Sequence, residues 1–333
     1  MNRAASKPAS VRCSPRITPT SRSSSPTTAA RTGRGEIVAG IAREDQRLRL
    51  VTIDRLPEGW YGKNNAMQTA IAGTKGEYIC MIDADCRQLS NRTLATAIRY
   101  AQDHQADLLS VLPVLEMKGF WENVIQPVCS GVMMIWFARH KVNNPAKPNA
   151  YANGAFMLIR REAYEAIGTH EAIRDKINED MHLAARVKGA GRKLVVVRST
   201  GLYIVRMYTS LPQIYRGWSR IFFGCFGTLR RLVISFVLMF TAGLAPYVAA
   251  AAGLLAAPDP VAWACAAAGL AAIALQLSAI FRYYRLAEVT PGLFWTYPLG
   301  CAITLVILVN SMLRLRAGAT VVWKSTTYTK SMG

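Results

Sequence analysis

Apolar residues follow two rhythms along this chain. Over residues 36–210 they come in short runs between polar stretches, and from residue 232 they are almost continuous. In the first region residues 49–53 read as a strand and residues 64–72 as a helix ending near Gly73. Residues 77–82 read as a strand running into Asp83-Ala84-Asp85. A helix over 91–105 and a strand over 107–112 follow, and another apolar strand comes after Asn153-Gly154. Strands alternating with helical segments predict an α/β domain on a mostly parallel sheet covered on both faces. Ligands of such sheets gather at the carboxyl ends of the strands, where the 83–85 loop falls.

Residues 232–257, 260–281 and 293–313 each reach the roughly 20 apolar residues that cross a bilayer core. All three lack charged residues, so about three transmembrane helices are predicted. Just before them, residues 211–231 set Gln213, Arg216, Arg220, Arg230 and Arg231 among Trp218, Phe222, Phe223 and Phe226. That mixture predicts a helix lying in the membrane interface, its place directly before an apolar run favouring this over an ordinary amphipathic helix packed on the domain. At the other end, residues 1–35 are Ser, Thr, Pro, Ala and Arg with no acid, and predict a disordered basic tail. A targeting peptide is a second reading of the tail, but it has no apolar stretch that would make a secretory signal. Residues 314–333 form a C-terminal tail.

Composition narrows the function classes. Only 18% of residues are charged, below the roughly 25% of an average soluble domain. The net charge is nevertheless +20, from 40 Lys and Arg against 20 Asp and Glu. Nucleic acid, an anionic membrane face or a phosphate-bearing substrate would each account for it. No nucleic-acid-binding motif is present, and the basic residues concentrate in the tail and near the apolar runs, so nucleic acid is not expected as a partner. Seven cysteines without a C-x-x-C pair argue against a disulfide framework or a zinc site.

Five local patterns can carry chemistry. Asp83 and Asp85, one residue apart after an apolar strand, can hold a hard divalent cation, although a polar turn would look the same. Glu179-Asp180 opens a helical run; Asp180 suits a general base, and acids in a first turn are also favoured by the helix dipole. The loop Pro57-Glu58-Gly59-Trp60-Tyr61-Gly62-Lys63 enters a helix with one lysine, as a diphosphate site would. Asn153-Gly154 forms a turn before a strand. Gln213, Arg216 and Trp218 stand on the amphipathic segment, where Arg216 suits a phosphate and Trp218 a sugar or a lipid headgroup.

In this order and spacing, the set resembles the family 2 glycosyltransferases of GT-A fold, particularly membrane-attached bacterial members that act on lipids. The resemblance runs over residues 37–231 and again at Val322-Trp323-Lys324. It implies a GT-A-like α/β domain over residues 36–210, and donor binding by Gly62, Lys63, Asp83, Asp85, Asn153, Gly154, Gln213, Arg216 and Trp218. Asp83 and Asp85 would hold Mg or Mn at the diphosphate of a nucleotide sugar, a UDP-sugar in particular. Glu179 and Asp180 would be catalytic, with Asp180 as base. Two departures stand out. The family's first strand and the acid-bearing second strand are not recognisable upstream, as a shifted reading frame or truncated start would produce. One extra residue, Gly217, also separates Arg216 from Trp218 relative to the Q-x-x-R-W of processive members.

The expected function is transfer of one sugar from a nucleotide sugar to a lipid acceptor hydroxyl, by a multi-pass inner-membrane protein. A processive polysaccharide synthase and a non-catalytic, truncated assembly partner are the alternatives. Arg230 and Arg231 before the first apolar run, and Arg282 and Arg285 after the second, predict a cytoplasmic catalytic domain. A third full crossing would carry Arg314, Arg316, Lys324 and Lys330 outside. Pro298 and Gly300 therefore predict a third run that bends back, leaving the C-terminus cytoplasmic.

Overall fold

The computed structural model describes residues 16–21, 34–53, 55–198, 201–316, 321–323 and 326–328. Its elements begin with β1 (Arg16–Ser21), α1 (Arg34–Glu44), β2 (Leu48–Ile53), α2 (Gly62–Ala72), β3 (Tyr78–Ile82), β4 (Cys86–Gln88) and α3 (Thr93–Asp103). Next come β5 (Leu108–Leu112), β6 (Val114–Leu115), α4 (Phe120–Trp136), α5 (Arg139–Val142), β7 (Phe156–Arg160), α6 (Arg161–Ala166) and α7 (Glu179–Gly189). After β8 (Leu194–Arg198) and β9 (Tyr203–Val205) the chain becomes helical. The helices are α8 (Leu211–Phe226), α9 (Leu229–Gly243), α10 (Ala245–Leu255), α11 (Pro260–Leu286) and α12 (Tyr297–Arg316). A short hairpin of β10 (Val321–Trp323) and β11 (Thr326–Tyr328) follows.

The chain divides into two compact units. The first holds residues 1–84, 88–112 and 140–198; the second holds 85–87, 113–139 and 199–333. In the first, four strands lie in the order β3-β7-β5-β8. β7 is antiparallel to both β3 and β5, whereas β5 and β8 are parallel. The sheet is therefore mixed: three strands share one direction and β7 runs against them. Its centre is apolar throughout, with Leu108, Leu109, Met157, Leu158 and Ile159 fully buried. Each such side chain stabilises the fold by roughly 1.5–3 kcal/mol relative to exposure. α3 packs on β5 and β7, and α7 packs on β8.

Order begins earlier than the sequence predicts. Residues 16–21, placed in the disordered tail, form β1 and pair in parallel with β2. Pro19 has no amide hydrogen, so it suits a strand with one unpaired edge, which is where β1 sits. The remainder of residues 1–33 lies outside the described residues, as does Lys324.

The second unit holds a three-stranded sheet in the order β4-β9-β6 and the large helices. Two stretches, Pro260–Leu286 and Pro291–Leu315, are long and apolar enough to cross a membrane. The first expected run is instead broken: α9 and α10 meet at 46° across Leu244, and the pair counts as a third span only when taken together. At the break Gln276 of α11 donates its Nε2 to the carbonyls of Ala242 and Gly243. Those carbonyls would otherwise lose their helical partners. Pro298 and Gly300, expected to bend the third run, lie inside the continuous helix α12.

α8 makes its contacts with the other large helices. Ile214, Gly217, Trp218, Ser219, Phe222, Phe223 and Phe226 face protein, because α8 packs on α4, α9 and α12. Its aromatic face is thus a protein contact, made with helices of the second unit.

Candidate active site

In the first unit, the loop ahead of α2 turns at Gly59, whose φ of 78° is open to glycine at little cost. Buried Tyr61 then donates its amide to the Arg174 carbonyl at 2.7 Å, which fixes the start of α2. Lys63 in the first turn reaches two carboxylates. Its Nζ lies 2.7 Å from Asp83 Oδ1 and 2.6 Å from Glu179 Oε1. Asp83 follows β3, and its amide donates to the Ala155 carbonyl at 3.3 Å.

The loop before β7 closes the cluster. The Gly154 amide donates to Asp180 Oδ2 at 2.9 Å, and the Met181 amide donates to Asp180 Oδ1 at 2.8 Å. A Cβ at Gly154 would lie 3.4 Å from Asp180, Glu179 and Lys63 alike, so three charged side chains converge on one backbone position. Asn153 accepts from the Ala155 amide through Oδ1, and its own amide donates to Ser110 Oγ at 2.8 Å. Five residues that the sequence proposes separately, Lys63, Asp83, Gly154, Glu179 and Asp180, are therefore brought together. They arrive from four points on the chain, with Gly62 and Asn153 directly adjoining.

Electrostatics separates their roles. Burial raises the Asp180 carboxyl and the neighbouring Glu179 charge raises it further; Lys63 and the two amide donors oppose this, leaving it at about 7. Burial alone would lower the Lys63 ammonium, but Glu179 and Asp83 outweigh that and hold it above its ordinary value. At neutral pH the cluster holds one fixed cation and a carboxyl that can gain or lose a proton.

Support comes from residues to which the sequence reading gave no role. Asn64 is buried, and its Nδ2 donates to the carbonyls of Ile173, Arg174 and Lys176 at 2.6, 3.2 and 2.9 Å. That ties α2 to the loop leading into α7. Gln68, one turn further on, accepts at Oε1 from the Tyr164 hydroxyl and the His170 amide, both at 3.2 Å. Tyr164 also meets His170 Nδ1 at 2.6 Å. Burial, aided by the Lys63 charge, lowers His170 to about 4. The only signal in the sequence is the position of Asn64 and Gln68, each one helical step from Lys63 or from the other.

The remaining predicted residues belong to the second unit. Asp85 is exposed just before β4. On α8 Gln213 and Arg216 are exposed; Gln213 accepts from the Thr209 amide at 3.1 Å and Arg216 donates to the Pro212 carbonyl at 3.1 Å. Trp218 is 4% exposed and packs against Phe222 with ring centres 5.5 Å apart. Gly217 lies so close to the Tyr208 ring that any side chain there would collide with it. These three do not gather, because Trp218 faces inward where Gln213 and Arg216 face out.

No group of three or more His, Cys, Asp or Glu forms a metal cage among the described residues. Asp83 and Asp85, the pair the sequence proposes for a metal, carry hard carboxylate oxygens. Such a pair suits Mg2+ or Mn2+ taking its other ligands from phosphate and water.

A model of glycosyl transferase family 21 matches residues 45–333. Among curated proteins none matches the chain. Among solved structures, the mannosyltransferase PcManGT from Pyrobaculum calidifontis, in complex with GDP-Man and Mn2+, is similar at 18% identity and a TM-score of 0.49. The match covers 86% of this chain and 75% of that one. TarS 1-349 from S. aureus is similar at 12% identity and a TM-score of 0.36, over 90% of this chain and 84% of that one.

Proposed function

This chain belongs to glycosyl transferase family 21, a GT-A-type family of nucleotide-sugar-dependent glycosyltransferases, and we propose that it moves a sugar onto the hydroxyl of a membrane lipid. The observation that carries the reading is the convergence of Lys63, Asp83, Glu179 and Asp180 around Gly154. A glycosyl transfer needs a positive site for the leaving diphosphate and a base for the incoming hydroxyl, and the cluster offers both.

In this reading Lys63, at the start of α2, and the Gly62 backbone meet the diphosphate of the donor. Asp83 and Asp85 hold a divalent cation, which supplies charge neutralisation of the leaving diphosphate when bound. Asp180, with its carboxyl raised by burial and Glu179, takes the proton of the acceptor hydroxyl. Gly154 and Met181 hold that carboxylate in place through their amides. Asn153 and Gly154 form the donor side of the cluster, through the turn that brings Gly154 against Asp180. The apolar helices favour a lipid as the acceptor and the inner membrane as the location, with the catalytic domain cytoplasmic where nucleotide sugars are made. A UDP-sugar is the donor proposed.

The test is purified protein in lipid vesicles with a panel of nucleotide sugars and Mg2+ or Mn2+. Release of nucleoside diphosphate together with a glycosylated lipid in the mass spectrum is expected, and a chelator should stop both. Release without any lipid product would refute the acceptor, and no release with any donor would refute the catalytic reading.

A further inference from the structure

Arg216 of α8 suits a phosphate by its place in the sequence, yet it is exposed and donates to the Pro212 carbonyl of its own helix. A second arginine on α8, to which the sequence reading gave no role, sits in a more constrained place. Arg220 is half-buried and takes part in no ion pair among the described residues. Its guanidinium donates instead to the hydroxyl of Tyr208, in the turn ahead of α8.

That turn is fastened on both sides of Tyr208. Two residues before it, Arg206 pairs with the buried Glu122 of α4 at 2.8 Å. Just after it, Thr209 donates its amide and its hydroxyl to Gln213 Oε1, at 3.1 and 3.3 Å. The hydroxyl end of the Tyr208 ring then rests on Gly217, where any side chain would overlap it. Gly217 and Arg220 are three residues apart and share one face of α8. The glycine that separates Arg216 from Trp218 thus makes room for a tyrosine that reaches Arg220.

Asp85 approaches the same place through the sheet of the second unit. It immediately precedes β4, β4 is hydrogen-bonded to β9, and Tyr208 lies three residues beyond the end of β9. Burial raises the Tyr208 hydroxyl above its ordinary value; Arg220 opposes this and Asp85 adds to it. The hydroxyl therefore keeps its proton at neutral pH and can donate it while accepting from Arg220. A guanidinium that no carboxylate neutralises, next to a hydroxyl donor, matches the oxygens of a phosphate.

We propose that Arg220 and Tyr208 form a phosphate-binding pair on α8, taking the phosphate of the donor's diphosphate or that of a lipid headgroup. The inference rests on the donor and acceptor chemistry proposed above and moves the phosphate contact from Arg216 to Arg220. Gln213 serves it by holding the turn that carries Tyr208.

Calorimetry on the full-length protein in non-ionic detergent tests the pair without any turnover. The probes are UDP and GDP with Mg2+, and a short-chain phosphatidic acid. Arg220→Gln should weaken phosphate binding at least about tenfold, Arg220→Lys should lose less, and Arg216→Gln should cost less than Arg220→Gln. Tyr208→Phe keeps the ring on Gly217 and should still lose about threefold to tenfold, so it carries the test if Arg220→Gln does not fold. A loss for the nucleotide assigns the pair to the donor, and a loss confined to phosphatidic acid assigns it to a lipid headgroup. Unchanged affinity for every probe in folded Arg220→Gln or in Tyr208→Phe, or a larger loss in Arg216→Gln, would overturn the pair and leave the donor reading standing. Wild-type protein that binds none of the probes would overturn both.

Discussion

A carboxyl pressed against another carboxylate and screened from water ionises late, and at Asp180 these two influences outweigh one lysine and two amides. If Asp180 is the base, kcat/KM should fall as pH drops through about 7, because the protonated form cannot accept a proton. Asp180→Asn should lose roughly 10²–10⁴-fold in turnover while donor affinity, read by calorimetry, stays near wild type. Lys63→Met removes the opposing positive charge, so the acid limb should move to higher pH in the same assay. An unshifted limb would detach Lys63 from Asp180. His170 offers a stability counterpart. Its folded pKa of about 4 lies below the ordinary 6.5, so between those values the unfolded chain binds more protons. The stabilisation is complete above pH 6.5 and is lost as pH falls toward 4. Melting temperatures over that window should therefore drop less steeply for His170→Asn than for the wild type.

At the scale of elements, small residues set how closely helices approach. A Cβ at Gly253 would come within 2.5 Å of backbone atoms of Ala262 and Ala266, and one at Gly269 within 2.6 Å of the Ala250 amide nitrogen. α10 and α11 thus touch backbone to backbone, as small residues permit in membranes. Gly269→Val should force the two helices apart and lower the melting temperature in detergent by several degrees, whereas Leu275→Val on an exposed face should change little. The sequence revealed such elements unevenly. α2, β3, α3 and β5 were legible because their periodicity and punctuation agree, and so was membership of a GT-A-type glycosyltransferase family, which the family match bears out. β1 was hidden by Pro19 and four polar neighbours, which carry no alternation. The reversed direction of β7 depends on which strands it pairs with, and no local pattern encodes that. α4 escaped notice because Pro127 interrupts its pattern, although the helix continues through it. Likewise, the inward turn of Trp218 follows from packing against Phe222 and from Gly217 meeting Tyr208, contacts made only once α8 has docked.

For the molecule as a whole, the proposed membrane attachment would draw on two forces, and they respond differently to salt. The excess charge of +20, with arginines flanking the hairpin of α9 and α10 against α11, is attracted to anionic headgroups over a Debye length of about 10 Å at 0.1 M salt. At 1 M that length shrinks to about 3 Å, so the attraction largely disappears. Transfer of the α10 and α11 side chains into hydrocarbon is indifferent to such screening, since it depends on apolar area removed from water. If charge were the main anchor, washing membranes with 1 M sodium chloride would release the protein to the supernatant. With Leu254, Leu255, Val261, Trp263, Leu270 and Leu275 all presented outward on the hairpin, the apolar term dominates. The protein should therefore stay in the pellet after both high-salt and alkaline carbonate washes and leave it only with detergent. Immunoblotting of each fraction checks this, and appearance in the salt wash would show that the hairpin does not enter the hydrocarbon.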